Sequence, residues 1–299
     1  MKIIQDLQEM HDKVLELKTG NKISFIPTMG ALHLGHLSLI KKAFEENTNA
    51  KIIVSIFANP TQFTNKEDFE KYPDTQKEDI KKLKEFIKEE KIKISYLFIP
   101  QKNNDFYNNK KYPNLSQYNI NTEDIVLSSI FFESEGKTRK GHFEGVFQVL
   151  FRLFNIIKPD YAVFGQKDFQ QTLLVKYLQK KYFKHITIII ADIYREKSGL
   201  AMSSRNQRLS IENKNKAKII YKALQIGKNT QTNISLDIRK KIEQILLSEK
   251  LVEKINYIEI RKFENFELID FLEKETRYII LVSLQFSGLH LIDNICVDF

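Results

Sequence analysis

The feature that most constrains the fold of this chain is a regular alternation of short apolar runs with segments of helical spacing. The apolar runs have the length and composition of buried strands, and such an alternation predicts a parallel sheet with right-handed helical crossovers. Ligands of parallel sheets usually bind beyond the carboxyl ends of the strands. The predicted strands are Ile23–Ile26, Ile52–Phe57, Tyr96–Ile99, Tyr161–Phe164 and Ile186–Ala191, and the helices are Gly35–Glu46, Asp74–Glu90, Gly145–Ile157 and Phe169–Lys181.

The pattern changes after about Asn206, where helices are followed by strands instead of alternating with them. This predicts a smaller α+β domain at the carboxyl end. We therefore expect an α/β domain over residues 1–193 and an α+β domain over residues 194–299. Its predicted helices are Ile211–Ile226 and Leu236–Ser248, and its strands are Ile255–Arg261, Tyr278–Leu284 and Leu291–Val297.

Two other segments complete the pattern. Asn103–Asn121 is rich in Asn and Tyr and predicts a loop or a peripheral excursion. Near the amino end, apolar residues recur at helical spacing and lack the uninterrupted apolar stretch of a signal peptide. They are Ile3, Ile4, Leu7, Met10, Val14 and Leu17.

Composition narrows the setting in which the protein works. The single cysteine, Cys296, allows no internal disulfide and fits a reducing compartment. The apolar segment Tyr278–Ile292 is β-rich and too short to span a bilayer. We therefore expect a cytoplasmic protein with no membrane partner.

The net charge of +9 has two interpretations. It could attract nucleic acid or other anions, or it could reflect lysines spread over solvated faces. The lysines alternate with glutamates, as in the run KKLKEFIKEEKIK from Lys81, whereas a nucleic-acid surface would cluster them among aromatics. This favours solvated faces and no nucleic-acid partner.

The most informative stretch is PTMGALHLGHLSL, from Pro27 to Leu39. It follows a predicted strand and opens a helix, so backbone N–H groups at the helix start could bind an anion. His33 and His36 are three residues apart and would share a face of the first turn. Gly30 and Gly35 allow close backbone approach. A tight turn with incidental histidines is the alternative.

Three other strings place polar groups where strands or domains end. In NPTQ the side chain of Gln62 would lie at the carboxyl edge of the sheet. In FGQKDFQQ Lys167 could pair with phosphate, Asp168 could accept from ribose, and Gln171 would share the face of Asp168. In MSSR, at the joint Tyr194–Asn206, two hydroxyls and a guanidinium could bind polyphosphate or serve as a helix cap.

Taken together, these strings resemble a known family. HLGH resembles the HxGH signature of the nucleotidyltransferase superfamily, and PTMGALHLGH resembles the pantothenate synthetases. Further blocks that match in order are SIFANPTQF, GHFEGV, KPDYAVFGQKDFQQ and GLAMSSRN, and the ending LIDN from Leu291 also matches. The resemblance runs over nearly the whole chain.

The resemblance implies a fold, a reaction and partners. It implies a Rossmann-like domain that binds ATP and pantoate, with the α+β domain as a lid. The implied reaction is ATP-dependent condensation of pantoate with β-alanine through an enzyme-bound pantoyl adenylate, which releases AMP and pyrophosphate. It further implies a homodimer. The sequence shows no metal-ligand cluster such as HExxH or paired Cys, so we expect no metal site on the protein itself and any Mg²⁺ to arrive with the ATP phosphates.

The resemblance also implies roles for individual residues. The implied catalytic residues are His33, His36 and Lys167. Gln62 and Gln171 would bind pantoate, and Gln62 would also lie at the β-alanine position. The implied ATP-binding residues are Met29, Gly30, Ala31, Leu32, His33, Leu34, Gly35, His36, Gly165, Gln166, Lys167, Asp168, Tyr194, Met202, Ser203, Ser204 and Arg205.

A few positions depart from the family pattern. Gln166 replaces a usual Glu, Ser198 a usual Asp and Lys140 a usual Pro, so the geometry of the last two loops is open. Arg139 resembles an arginine near the active-site opening, and His142 is more often structural than a ligand.

Three alternatives share part of the evidence. A related nucleotidylyltransferase that transfers AMP to a phosphate acceptor would also have HLGH, but Gln62 and Gln171 suit a small hydroxy acid. A tRNA-binding synthetase would need a sizeable extra domain. A catalytically inactive scaffold would not be expected to keep HLGH, GQKD and MSSR together.

Overall fold

A computed structural model describes residues 1–63, 69–70, 72–73, 75–100, 106 and 125–299. The chain forms two compact units. The first comprises Met1–Phe132, Arg139–Gln166 and Gln170–Asp192, and the second comprises Glu133–Thr138, Lys167–Phe169 and Ile193–Phe299. Apart from Phe106, the predicted loop Asn103–Asn121 lies outside the described residues.

The described part of the first unit contains a six-stranded parallel sheet. The strands are β1 Lys2–Ile4, β2 Ile23–Thr28, β3 Lys51–Ile56, β4 Ile94–Phe98, β5 Tyr161–Gly165 and β6 Thr187–Ala191. Their order in the sheet is β1-β4-β3-β2-β5-β6. The five predicted strands are confirmed close to their predicted bounds.

The edge strand β1 corrects the sequence prediction, which placed Ile3 and Ile4 in a helix. Ile4 instead pairs with Phe98 of β4 and is completely buried. The helix begins only at Leu7, because the side chain of Asp6 accepts the backbone N–H of Glu9 and caps it. A strand of three residues is too short to show an alternating pattern.

Helices cover both faces of the sheet. They are α1 Leu7–Lys18, α2 Leu34–Glu46, α3 Gln76–Glu90, α4 Ile125–Phe132, α5 Ser134–Thr138, α6 His142–Ile157 and α7 Phe169–Tyr182. One core contains side chains of α1, α6 and α7, and another contains side chains of α2 and α3. Neighbouring strand residues point into opposite cores, as with Phe25 and Ile26 of β2.

The predicted helices of this unit are confirmed with small changes at their ends. Helix α3 begins at Gln76, and the predicted start at Asp74 lies outside the described residues. Helices α4 and α5 were not predicted, and α5 groups with the second unit.

The second unit combines helices with an antiparallel sheet. The elements are α8 Ile211–Ala217, α9 Ile219–Lys228, α10 Ser235–Leu247, β7 Val252–Lys262, β8 Arg277–Phe286 and β9 Leu289–Asp298. Among the residues described, the strand order is β7-β8-β9. The predicted single helix Ile211–Ile226 is divided into two helices, because Lys218 ends the first and precedes the second. Within the described ranges, no helix is long and apolar enough to cross a membrane.

Candidate active site

The loop between β2 and α2 is tightly folded at the carboxyl edge of the sheet. Gly30 and Ala31 both have positive φ, at 89° and 50°. A Cβ on Gly30 would lie 3.1 Å from a methyl carbon of Ile56 and 3.2 Å from a carboxylate oxygen of Asp79. Glycine is therefore favoured at this position by both conformation and space.

Asp79 of α3 holds this loop in place. Its fully buried carboxylate accepts the backbone N–H of Ala31 at 2.8 Å and of Leu32 at 2.7 Å. The hydroxyl of Thr75 donates to the same carboxylate at 3.1 Å. Sequence reasoning missed Asp79, although its spacing from Leu83 and Phe86 places it on the buried face of α3.

The start of α2 is capped by its own histidines. His33 is the N-cap, and its Nδ1 accepts the backbone N–H of Gly35 at 3.1 Å. The Nδ1 of His36 accepts the backbone N–H of His33 at 3.3 Å. A ring nitrogen that accepts a hydrogen bond carries no proton, so each neutral ring keeps its proton on Nε2. The two ring centroids are 4.0 Å apart.

This arrangement changes the expected anion site. The sequence predicted that backbone N–H groups at the start of α2 would be available. Those of Ala31 and Leu32 donate to Asp79, and those of Gly35 and His36 donate to His33. The Nε2–H groups of the two histidines are thus donors that this helix start can present to a phosphate, beside the backbone N–H of Leu34, the first residue of the helix.

Replacing Asp79 by asparagine is expected to loosen this loop. The carboxamide can accept one of the two N–H groups but presents its own NH₂ to the other. A buried N–H left without an acceptor costs about 1–3 kcal/mol. Urea unfolding should show this loss. Glu78→Gln, an exposed change on the same helix, should leave the stability unchanged, and equal stability of the two variants would contradict the role of Asp79.

Gln62 lies where the sequence placed it, in a short turn, Pro60–Gln62, after β3. Its side chain is buried between two partners. The amide of the completely buried Asn59 donates to Gln62 Oε1 at 3.1 Å, and Gln62 Nε2 donates to the sulfur of Met29. The structure therefore brings Gln62 to the loop that carries the histidines.

The backbone of Gln62 is fixed from the other side by His142. Arg139 Nη1 lies 3.2 Å from His142 Nε2, and His142 Nδ1 lies 2.7 Å from the carbonyl oxygen of Gln62. Because arginine can only donate, His142 accepts on Nε2 and donates its Nδ1–H to the carbonyl. The structural interpretation of His142 agrees with this geometry.

A cavity of about 450 Å³ lies beside the loop between β2 and α2. Its lining includes residues that follow the carboxyl ends of β2, β3 and β4, among them Met29, Phe57 and Pro100. Small-molecule sites commonly have volumes of roughly 300–1,000 Å³. Its size is that of a small-molecule site, but of the predicted site residues its lining includes Met29, Gly30 and Ala31 and not His33, His36, Gln62 or Gln171.

The GQKD string forms a 3₁₀ turn, Gln166–Asp168, directly after Gly165, the last residue of β5. Lys167 Nζ donates to Asp168 Oδ1 at 3.2 Å. Asp168 is exposed, and Gln171 is half-buried in the first turn of α7.

The predicted loop after Tyr194 is a β-hairpin. The backbone N–H of Met202 donates to the carbonyl of Tyr194, and that of Glu196 donates to Leu200. Ser198 Oγ accepts the N–H of Leu200 at 3.4 Å, so serine at this position supports the turn.

Ser203 caps the short 3₁₀ segment Ser204–Arg208, since its Oγ accepts the N–H of Arg205 at 3.3 Å. The helix-cap alternative is therefore confirmed for Ser203. Lys167, Ser203, Arg205 and Asp293 line one small cavity in the second unit. The structure thus brings Lys167 together with Ser203 and Arg205 within that unit.

Metal ligation was checked over the same residues. Across the described ranges, no group of three or more His, Cys, Asp or Glu side chains could hold a metal ion.

These features define an α/β nucleotide-binding type of enzyme, with a histidine-capped helix at the carboxyl edge of a parallel sheet. A family model described as pantoate-beta-alanine ligase matches residues 2–296. A pantothenate synthetase from Thermodesulfovibrio yellowstonii is 39% identical over 302 residues, which cover 100% of both chains. The chain therefore belongs to the pantoate-beta-alanine ligase family.

Solved structures agree with this assignment. Pantothenate synthetase from Thermus thermophilus is 29% identical, with a TM-score of 0.83 and 99% of each chain covered. Pantoate-beta-alanine ligase from Francisella tularensis, complexed with beta-gamma ATP and beta-alanine, is 33% identical with a TM-score of 0.75. The match covers 99% of this chain and 97% of that one. Both structures support the α/β fold with a small C-terminal sheet.

Proposed function

We propose that this chain condenses pantoate with β-alanine, using ATP, and releases AMP and pyrophosphate. The observation that carries the proposal is the family match over residues 2–296. The histidine cap of α2 and the buried Gln62 agree with it. Transfer of AMP to a phosphate acceptor would use the same histidines, but the family match favours the ligase.

The chemistry requires two steps. The carboxylate of pantoate is a poor electrophile, because its leaving group would be oxide. Attack of that carboxylate on the α-phosphorus of ATP gives pantoyl adenylate and pyrophosphate. The unprotonated amine of β-alanine then attacks the acyl carbon and displaces AMP.

The proposed roles follow from the groups that each residue presents. The Nε2–H groups of His33 and His36 would stabilise charge on phosphate oxygens as it develops. Lys167 and Arg205 supply cations, and the hydroxyls of Ser203 and Ser204 supply neutral donors. The remaining ATP contacts proposed from the resemblance are Met29, Gly30, Ala31, Leu32, Leu34, Gly35, Gly165, Gln166, Asp168, Tyr194 and Met202.

Gln62 and Gln171 are the proposed pantoate ligands, and Gln62 is also proposed to lie at the β-alanine position. An amide can donate to a carboxylate and accept from a hydroxyl. A pantoate analogue that lacks the hydroxyl would lose its hydrogen bond to these amides and should be rejected strongly.

Four further proposals rest on the resemblance and composition. Mg²⁺ would arrive with ATP, held mostly by phosphate oxygens and water, as is usual for this cation. The protein would be a cytoplasmic homodimer. The C-terminal domain would act as a lid.

Isotope exchange tests the reaction. With pantoate and ATP but no β-alanine, the protein is expected to exchange labelled pyrophosphate into ATP. Added β-alanine should divert the intermediate to pantothenate, with AMP formed in equal amount. Exchange that proceeds without pantoate would indicate a different acceptor. Absence of label in AMP from ¹⁸O-carboxyl pantoate would rule out the acyl adenylate.

A further inference from the structure

The LIDN string, Leu291–Asn294, has no role in the reaction proposed above. It lies on β9 in the second unit. Asp293 is 3% exposed and Asn294 is 1% exposed. A buried carboxylate and a buried carboxamide require compensating partners, so their partners indicate what they stabilise.

Asn294 holds the backbone of Lys167. Its Nδ2 donates to the carbonyl oxygen of Lys167 at 3.0 Å, across 127 residues of sequence. The contact fixes the main chain of the GQKD turn and does not involve the ammonium group of Lys167.

Asp293 holds the hairpin that leads to MSSR. Its two carboxylate oxygens accept from Arg195 at 2.7 and 2.9 Å. The same guanidinium donates to the carbonyls of Gly199 and Asn294, each at 3.0 Å, and lies 3.9 Å from the ring centroid of Tyr221. Burial raises the pKa of the Asp293 carboxyl, and Arg195 opposes that rise. The negative charge of Asp293 therefore depends on the arginine.

We propose that Asp293 and Asn294 are positioning residues for ATP. Strand β9 holds Lys167 through Asn294, and it holds the segment leading to Arg205 through the pair of Asp293 with Arg195. Adjacent residues of one rigid strand thereby set the spacing between two groups that bind phosphate. The shared cavity lined by Lys167, Arg205 and Asp293 agrees with this arrangement. The proposal rests on the proposed function.

The test variant is Asn294→Asp, which keeps the shape but turns an acceptor toward the carbonyl of Lys167. In pantoate-dependent pyrophosphate exchange, the KM for ATP is expected to rise by about tenfold, because a buried hydrogen bond becomes a repulsion. The KM for pantoate should stay unchanged. Asp293→Asn should also raise the KM for ATP relative to the KM for pantoate. Asn294→Ser replaces Asn294→Asp as the test variant if Asn294→Asp does not fold.

Two variants on the same strand are the controls. Val297→Ala removes buried apolar volume. Asp298→Asn makes the same chemical change as Asp293→Asn, but at an exposed residue that pairs with Arg277. Asn294→Asp and Val297→Ala are compared at temperatures equally far below their own melting temperatures. If both give the same ratio of the KM for ATP to the KM for pantoate, Asn294 is only structural and the proposal is wrong.

Direct ATP titration by calorimetry separates this outcome from failure of the proposed function. A wild type without pantoate-dependent exchange would overturn the function. Weaker ATP binding by Asn294→Asp than by Val297→Ala would still support positioning by β9, and equal binding would overturn it.

Discussion

Replacement of His36 by alanine is expected to lower the rate of pantoate adenylation by about 10²–10³-fold, the usual effect of losing a preorganised donor. The N–H of His33 binds Nδ1 of His36, so the ring presents Nε2–H. Negative charge grows on the phosphate oxygens and the leaving pyrophosphate as the carboxylate attacks. A donor already aligned by the helix cap stabilises that charge without reorganisation.

Two further substitutions of His36 separate the effect of losing the Nε2–H donor from the effect of losing the helix cap. In His36→Asn the carboxamide oxygen can replace Nδ1 and keep the cap, but nothing replaces Nε2–H. In His36→Gln the terminal NH₂ reaches the position of Nε2. We expect His36→Asn to keep its melting temperature and stay slow, whereas His36→Gln should recover part of the rate.

Single-turnover adenylation by rapid quench measures the rate, and thermal unfolding measures the cap. The exposed His185 supplies a control, since His185→Ala should change neither quantity. Near-normal adenylation by His36→Asn would contradict the assignment of Nε2–H as the donor.

The sequence predicted the elements that carry this site because their signals are local. The strand that ends at Thr28 and the glycines and histidines after it lie within a few residues of each other. The hydrogen-bond partners were not predictable in the same way. Asp79 is 48 residues from Ala31 and belongs to a helix rich in Lys and Glu, where a carboxylate resembles a solvated one.

Misassigned elements have a similar explanation. The periodicity of Ile3 and Ile4 fits a helix, but pairing with β4 and the cap at Asp6 make them a strand. The split at Lys218 leaves the apolar spacing nearly intact, so the sequence does not reveal it. LIDN was recognised by resemblance alone, because its partners lie 98 and 127 residues away.

The contacts that hold the backbone of Gln62 could not be predicted from the sequence either. They lead to the second prediction with a large expected effect. Helix α6 packs directly on the turn that carries Gln62. The carbonyl of Gly145 accepts from the side chain of Asn59 at 3.0 Å. A Cβ on Gly145 would lie 2.4 Å from the carbonyl oxygen of Thr61 and 2.5 Å from the backbone N of Gln62. These atoms are backbone, so a methyl group there must displace either the helix or the turn.

Gly145→Ala is therefore expected to move Gln62 and reduce pantoate use by about 10²-fold, the cost of a displacement near 1 Å at a reacting group. Helix propensity alone would favour alanine by about 1 kcal/mol, so any loss must come from the close approach. The KM for pantoate in pyrophosphate exchange measures the effect, and ATP binding should be unchanged.

Gly227→Ala is the matched control for this substitution. It also replaces a helical glycine, and its Cβ would lie 2.4 Å from the terminal carbon of Ile242. That side chain can rotate, and it lies in the core of the second unit, so the control should lose stability without weakening pantoate use. If both variants lost pantoate affinity equally, general destabilisation would explain the result. A selective loss in Gly145→Ala would show that the absence of one side chain in α6 determines where the amide of Gln62 lies.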